Sequence, residues 1–182
     1  PNKDHITAEG DSVRMVYTVP SNLFAVGNGK LRSITTNGNK SSYEWFVKNP
    51  INNYNISVQI GNYVAVQDTL IKDSVVHYMD HYVLDYNKEL ASNYFPQSKE
   101  VIRFYEKYFG DYQWYEDGYK LIEVPYLGME HQSAVTYGNG FSIYNGVRSS
   151  SWPMYGVIDP LIIHETGHEW FGNSVTASDP TH

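Results

Sequence analysis

The stretch DPLIIHETGHEWFGN, residues 159–173, predicts the helix around which the second half of this chain is organised. Asp159 is a favoured N-cap residue, and Pro160 follows at the first helical position, where its fixed φ suits a helix. Gly172 and Asn173 are residues that commonly close a helix. We therefore expect a helix that begins at Pro160 and ends near Gly172.

Two histidines lie one helical turn apart in the segment HETGH, residues 164–168. On an α-helix the positions i and i+4 differ in direction by about 40°, so His164 and His168 share one face. Neutral imidazoles bind Zn²⁺, which lowers the pKa of a bound water to about 7, and Glu165 lies where a carboxylate can take the proton. Chance would produce this pattern in about one such chain in a hundred, but the apolar residues on both sides favour a buried helix that holds one zinc ion.

A catalytic zinc normally has three protein ligands, and this helix offers two. A metzincin would carry a glycine and a histidine at the positions that Phe171 and Ser174 occupy. Asp179 and His182 follow in a segment of loop composition and remain alternatives for the third ligand. We favour a ligand that lies beyond His182, the last residue of the sequence.

The composition of the 182 residues excludes several classes of protein. The chain has no cysteine, which rules out disulfides, thiolate zinc sites and cysteine nucleophiles, so His, Asp or Glu must hold any metal. A net charge of -7 without a basic cluster argues against a nucleic-acid partner. No run of about 18 apolar residues occurs, so we expect no membrane span. Because the sequence begins at Pro1, we expect an excised fragment or a processed product.

Two patterns of hydrophobicity divide the chain. From Val13 to about Leu84, short alternating segments are separated by Asn-Gly and Gly-Asn turns, which predicts antiparallel hairpins of a sheet or sandwich. After about Glu89 the period becomes helical in SKEVIRFYEKYFG, residues 98–110, which ends at Gly110. Two further strands are predicted at residues 119–124 and 133–137.

A second motif lies upstream of the histidine helix and carries a resemblance to a known family. LGMEHQSAVTYG, residues 127–138, resembles the G-x-M-E-N exopeptidase motif of the aminopeptidase N family of zinc metallopeptidases, which are gluzincins. HETGHEWFGNSVT, residues 164–176, resembles that family's H-E-x-x-H-x-W-F-G-N-x-V-T signature. Residues 1–31 resemble the later half of the family's N-terminal β domain, and FYEKYFGDY, residues 104–112, resembles the first helix of its catalytic domain.

The resemblance implies an α+β fold and an internal piece of a larger enzyme. Residues 1–88 would form the end of an antiparallel β-sandwich or saddle domain. Residues 89–182 would form the start of a thermolysin-like zinc peptidase domain. The missing remainder of that catalytic domain would be a necessary partner. For such a peptidase an exported or cell-envelope location is favoured over a cytoplasmic one.

The resemblance also implies residue roles at the zinc site. His164 and His168 would bind zinc, and Glu165 would be the general base. The family's third ligand is a glutamate that would fall near position 187, after His182, and a tyrosine that stabilises the intermediate would lie further along. Alone, the chain should therefore bind zinc weakly and show no peptidase activity.

A separate set of residues would bind the substrate, which the resemblance implies to be a peptide with a free N-terminus. Glu130 would bind the α-ammonium group, and the backbone at Gly128 and Met129 would hold the peptide. The peptide would add as an extra strand beside SAVTY, residues 133–137. His131 replaces the usual asparagine after the glutamate, which puts the details of N-terminal recognition in doubt.

Two other functions remain as alternatives to an aminopeptidase. A non-catalytic relative could use the same fold as a binding scaffold, although neither the HExxH segment nor Glu130 is needed for that. A thermolysin-like endopeptidase would require Glu130 to face away from the substrate. His77 and His81 also have i, i+4 spacing, but their segment alternates like a strand, and a half-exposed strand face is favoured over a second metal site.

Overall fold

The computed structural model describes residues 9–142 and 158–175, which form β-strands, three α-helices and two 3₁₀ turns. The first part of the chain contains β1 (Glu9–Gly10), β2 (Val13–Pro20), β3 (Phe24–Gly27), β4 (Lys30–Asn37), β5 (Lys40–Val47), β6 (Ile51–Asn52), β7 (Val58–Gly61), β8 (Tyr63–Lys72) and β9 (Val75–Leu84). The second part contains α1 (Lys88–Tyr94), α2 (Gln97–Phe109), β10 (Leu121–Glu123), β11 (Gly128–Met129), β12 (Val135–Tyr137) and α3 (Pro160–Gly167). The 3₁₀ turns are Asn53–Asn55 and Asp85–Asn87. This order confirms the predicted α+β fold.

The predicted hairpins are present in the first part of the chain. Strands β2, β5 and β4 form an antiparallel sheet in that order, β3 pairs with β7, and β1 pairs with β6. The turn between β4 and β5 uses Gly38 at a φ of 59°, a conformation that glycine adopts without strain. Alternate side chains of β5, among them Tyr43 and Trp45, are buried. This alternation is the period-2 pattern on which the hairpin prediction depended.

A five-stranded sheet, in the order β11-β12-β10-β9-β8, organises the second part. Strands β9, β10 and β12 are parallel to one another, and the outer strands β8 and β11 are antiparallel to their neighbours. The hairpin β8–β9 lies before residue 88, yet it pairs with β10 through Tyr82 and Ile122. The sheet therefore crosses the boundary predicted between residues 88 and 89, because the backbone of β9 needs β10 to complete its hydrogen bonds.

Helix α2 follows its predicted course and supports the histidine helix. Its buried face includes Val101 and Ile102, and it ends where Gly110 takes a φ of 91°. Tyr105 projects toward α3, and its hydroxyl donates a hydrogen bond to the Ile163 carbonyl at 3.1 Å. Helix α2 therefore contacts, through Tyr105, the helix that carries the two histidines.

Helix α3 begins as predicted and ends earlier than predicted. The Asp159 carboxylate accepts a hydrogen bond from the Leu161 N–H, and Pro160 occupies the first turn. The α-helix ends at Gly167, five residues before Gly172. Beyond it the chain continues in wider turns, in which Asn173 N–H donates to the His168 carbonyl at 2.9 Å. The expected end at Gly172 is therefore wrong, because i→i−5 bonds replace the α-helical ladder there.

Two hydrophobic clusters meet across the five-stranded sheet. One cluster fills the first part of the chain around Trp45 and Val47, and it includes Tyr82 and Ile122 from the sheet. The other contains α1, α2, α3 and the opposite face of the same sheet. Among the described residues, no helix is long and apolar enough to cross a membrane.

Candidate active site

The structure brings His164, Glu165 and His168 together, with their ligand atoms within 4.8 Å of one another. The Nε2 atoms of the two histidines are 3.2 Å apart, and the rings stand at 88° to each other. A tetrahedral zinc with Zn–N bonds of about 2.0–2.1 Å holds its nitrogens about 3.3 Å apart. The spacing of the two nitrogens therefore fits one zinc ion. Within residues 9–142 and 158–175 this trio is the one group of His, Asp and Glu whose geometry could hold a metal ion.

His168 is held in the tautomer that a metal ligand requires. Its Nδ1–H donates to the Phe171 carbonyl at 2.9 Å, which leaves Nε2 as the bare nitrogen that faces His164. Because the chain turns after Gly167, the Phe171 carbonyl lies beside the His168 imidazole. The unexpected helix end consequently orients one of the two predicted ligands.

Glu165 is a buried carboxylate, with 7% of the residue exposed. Its pKa is raised to about 7, first by burial and then by the negative charge of Glu130, while His168 opposes the rise. A Cβ atom on Gly128 would lie 2.9 Å from the Glu165 Oε1 atom. The backbone of β11 thus passes directly beside the carboxylate, and a side chain at position 128 would force the Glu165 carboxylate to shift.

Glu130 follows β11 and lies on the same side as the trio. Its charge acts on the pKa of both Glu165 and His164. The neighbouring His131 is partly buried, its pKa is lowered by burial, and its Nδ1 has no hydrogen-bond partner among the residues that the structure describes. The residues predicted to bind zinc and those predicted to bind substrate therefore lie at one site, although their roles stay predictions.

The strand beside which a peptide was expected to add is already paired on both sides. Strand β12, residues Val135–Tyr137, lies between β10 and β11. Among the described strands, β11 forms the edge of the sheet. The expectation that a peptide adds beside 133–137 is therefore wrong, because that edge is covered by Gly128–Met129, which itself offers the open backbone.

A buried polar cluster fixes the first turn of α3. Asp159 is fully buried, and besides the Leu161 N–H its carboxylate accepts hydrogen bonds from the hydroxyls of Tyr94 and Tyr137, at 2.9 and 2.8 Å. Asn139 donates to both carboxylate oxygens at 3.1 Å. The sequence identified only the N-cap. The hydroxyl partners come from α1 and β12, and no local pattern joins them to Asp159.

Sequence reasoning also missed two buried charges next to the site. Glu169 follows the second histidine and is 1% exposed, and Lys120 is 3% exposed. Burial raises the pKa of Glu169 to about 8, while hydrogen bonds from Ser133 and Asn173 and the charge of Lys120 oppose the rise. Burial lowers the pKa of Lys120 to about 7, opposed first by Asp117 and then by Glu169. Each charge thus favours the ionised form of the other. The one indication in the sequence that Glu169 is buried is its position directly before the apolar residues Trp170 and Phe171.

The third zinc ligand is not among the described residues. Asp179 and His182, the two alternatives within the sequence, lie outside residues 9–142 and 158–175. The favoured glutamate near position 187 would follow His182. The third ligand therefore stays a prediction.

Comparison with known proteins gives one family. Residues 94–182 match the peptidase family M1 domain. The probable aminopeptidase 1 of Sulfurisphaera tokodaii is 26% identical over 155 residues, which cover 83% of this chain and 19% of that protein. The fold resembles the M1 zinc metallopeptidase of Deinococcus radiodurans, with a TM-score of 0.73 and 16% identity over 92% of this chain and 35% of that one.

A further solved structure, a two-domain M1 zinc metallopeptidase variant bound to L-tryptophan, gives a TM-score of 0.72 at 17% identity, over 92% of this chain and 36% of that one. The chain therefore spans about a fifth of the curated relative (19%) and about a third of these solved chains (35% and 36%). Residues 94–182, just under half of the chain, thus match the peptidase family M1 domain, and the comparisons confirm the predicted resemblance to aminopeptidase N-like zinc metallopeptidases.

Proposed function

We propose that this chain is part of a zinc aminopeptidase that removes residues one at a time from the free N-terminus of peptides. One observation carries the proposal. The two Nε2 atoms lie 3.2 Å apart beside a buried Glu165, and this trio is next to the open edge of β11 and to Glu130. A hydrolytic centre, a backbone edge and an acidic group that can bind an ammonium ion thus occur together.

In this proposal His164 and His168 hold the metal through Nε2. A zinc ion bound there would act as a Lewis acid and would make water a stronger nucleophile at neutral pH. Glu165 takes the proton from the attacking water and then passes it to the nitrogen of the leaving amine. Its burial and raised pKa suit this exchange, since a carboxyl group with a pKa near neutrality can both accept and release the proton.

The substrate is held by its backbone and by its N-terminus. A peptide that adds along β11 brings its scissile bond beside Glu165, because Gly128 allows close approach to that carboxylate. Glu130 then faces the α-ammonium group, and this contact limits cleavage to the first residue. The third ligand, a glutamate near position 187, would come from the remainder of the parent's catalytic domain.

Hydrolysis by the full-length parent tests the proposal. The solved M1 zinc metallopeptidase of Deinococcus radiodurans includes a complex with a Tyr-Ser-Ala substrate, which supplies a first substrate. We expect the parent to release tyrosine from Tyr-Ser-Ala and to leave its N-acetylated form intact. Glu165→Gln should lower kcat by about 10²–10⁴-fold, the usual contribution of a general base, with an unchanged zinc content.

Matched variants distinguish the alternatives. Glu116→Gln removes an exposed carboxylate that pairs with Lys48, and it should leave hydrolysis unchanged. Cleavage of the acetylated peptide at an internal bond would establish an endopeptidase instead. A parent that contains zinc and hydrolyses neither peptide would favour the non-catalytic scaffold. The chain alone should remain inactive in all of these assays.

A further inference from the structure

Ser133 is held between two buried residues of opposite charge. The Glu169 Oε1 atom accepts a hydrogen bond from the Ser133 N–H at 2.8 Å. The Lys120 Nζ atom donates to the Ser133 carbonyl at 2.8 Å and to the Gly29 carbonyl at 2.7 Å. The Ser133 hydroxyl accepts from the Gly29 N–H at 2.9 Å. All the polar groups of Ser133 are therefore engaged.

Ser133 ends the short segment 130–133, which begins at Glu130 and is named here the anchor loop. Two further carbonyls of this loop are held as well. The Glu130 carbonyl accepts from Asn173 at 3.0 Å, and the Gln132 carbonyl accepts from Asn28 at 2.7 Å. The anchor loop is thus fixed from one side by the residues that follow the zinc histidines and from the other by the β3–β4 turn.

The conformation of the anchor loop depends on these partners. Ser133 has a φ of 59°, in the left-handed region that is disfavoured for residues other than glycine. Such a conformation persists only where the surroundings impose it. Glu169 and Lys120 in turn depend on the loop, because a buried charge without hydrogen-bond partners is strongly disfavoured. The observed position of the loop is therefore the one in which Glu169 and Lys120 both have hydrogen-bond partners.

Neither charge belongs to the hydrolytic centre itself. The Glu169 carboxylate is directed to Ser133, Asn173 and Tyr112, and Lys120 is directed to backbone carbonyls and to the face of Trp45. Their common contact near the site is the anchor loop. An effect on the peptide site must therefore pass through the position of Glu130.

We propose that Glu169 and Lys120 are positioning residues, which set the distance from Glu130 to the metal site and so determine how well a free N-terminus is bound. The proposal rests on the proposed function, in which Glu130 binds the α-ammonium group. It adds that Glu169 and Lys120 together fix the position of the anchor loop relative to α3. Loss of either charge should loosen ammonium binding more than it affects metal binding or proton transfer.

The test compares two inhibitors on the full-length parent enzyme. Leucine hydroxamate carries an α-amino group, and 4-methylpentanoyl hydroxamate is the same molecule without it. Both can bind zinc, so the ratio of their inhibition constants reports the contact between the ammonium group and Glu130. The variants are Glu130→Ala, Glu169→Ala, Glu169→Gln and Lys120→Met, and Glu100→Gln is the control, since Glu100 is exposed on α2. Zinc content and melting temperature are measured for each.

We expect the preference for leucine hydroxamate to fall at least tenfold in Glu169→Ala and in Lys120→Met, with less than a threefold change for the inhibitor that lacks the amino group. In Glu169→Gln the preference for leucine hydroxamate should fall less. The amide oxygen of the glutamine can still accept the hydrogen bond from the Ser133 N–H, whereas its NH₂ group faces the NH₂ group of Asn173 and only that contact is lost. A variant that fails to fold is replaced in this comparison by Glu169→Gln, which keeps the volume.

The outcomes separate the two proposals. If Glu130→Ala abolishes the preference while the Glu169 and Lys120 variants keep it within twofold of the wild type, the positioning proposal is overturned. An equal weakening of both inhibitors would also overturn it, since that result means damage to the metal site. If Glu130→Ala itself leaves the preference unchanged, the proposed function of Glu130 fails instead.

Discussion

The buried carboxylate of Asp159 should make one of the largest single contributions to the stability of this protein. Asp159→Ala removes the acceptor for the Leu161 N–H and for the hydroxyls of Tyr94 and Tyr137, which lie at 2.8, 2.9 and 2.8 Å. A hydrogen bond to a charged group contributes about 1.5–3 kcal/mol, so three of them at the lower value give about 4–5 kcal/mol. A domain has only about 5–15 kcal/mol of net stability.

Urea denaturation followed by tryptophan fluorescence measures this loss. Tyr137→Phe removes one of the three bonds and should lower the free energy of unfolding by about 1.5–3 kcal/mol. Tyr86→Phe is the matched control, because Tyr86 is 75% exposed, and it should change the value by less than about 0.5 kcal/mol. A loss below about 1.5 kcal/mol for Asp159→Ala would refute the reasoning, as would equal effects of the two tyrosine variants.

Three further predictions concern pH, packing and metal. His81 is fully buried and its pKa is lowered to about 3, below the unfolded value of about 6.5, so its contribution to stability is complete above pH 6.5 and declines as the pH falls toward 3. Between pH 8 and pH 5 the wild type should lose about 2 kcal/mol more than His81→Asn in urea denaturation, and an equal loss would contradict this. Gly167→Ala places a Cβ 2.5 Å from the Tyr105 hydroxyl oxygen and should cost about 1–3 kcal/mol, part of which Tyr105→Phe should recover in the double variant. Chelation should abolish hydrolysis by the parent and added Zn²⁺ should restore it, whereas His168→Ala should not respond to added zinc.

The part of the site that the sequence predicts is the part governed by local geometry. His164 and His168 are one helical turn apart, and the N-cap at Asp159 uses a contact two residues away. The hairpins of the first sheet likewise follow from alternation and turn residues. These features depend on periods of 2 and 3.6 residues, which a single sequence displays directly.

The remainder depends on contacts between distant segments. Ser133 and Glu169 are 36 residues apart, and no local pattern indicates that they meet. The alternation of residues in β9 predicts on which face of the strand His81 lies, but it does not predict which other segments cover that face. The half-exposed face expected there is wrong for His81, which is fully buried and accepts a hydrogen bond from the Leu121 N–H at 2.9 Å. The early end of α3 was missed because hydrogen bonding beyond Gly167, rather than residue preference, decides it.

The hairpin β8–β9 contributes side chains to the hydrophobic clusters of both parts of this chain. Tyr82 contributes to one hydrophobic cluster, whereas the adjacent Val83, on the other face of the strand, contributes to the second. Separation of the chain near residue 88 would remove two strands from the five-stranded sheet and would leave the edge of β10 without its partner. Each hydrophobic cluster would then lose residues that the other piece carries. The five-stranded sheet thus extends across the boundary predicted after residue 88, and a shortened version designed for experiments should begin ahead of β8.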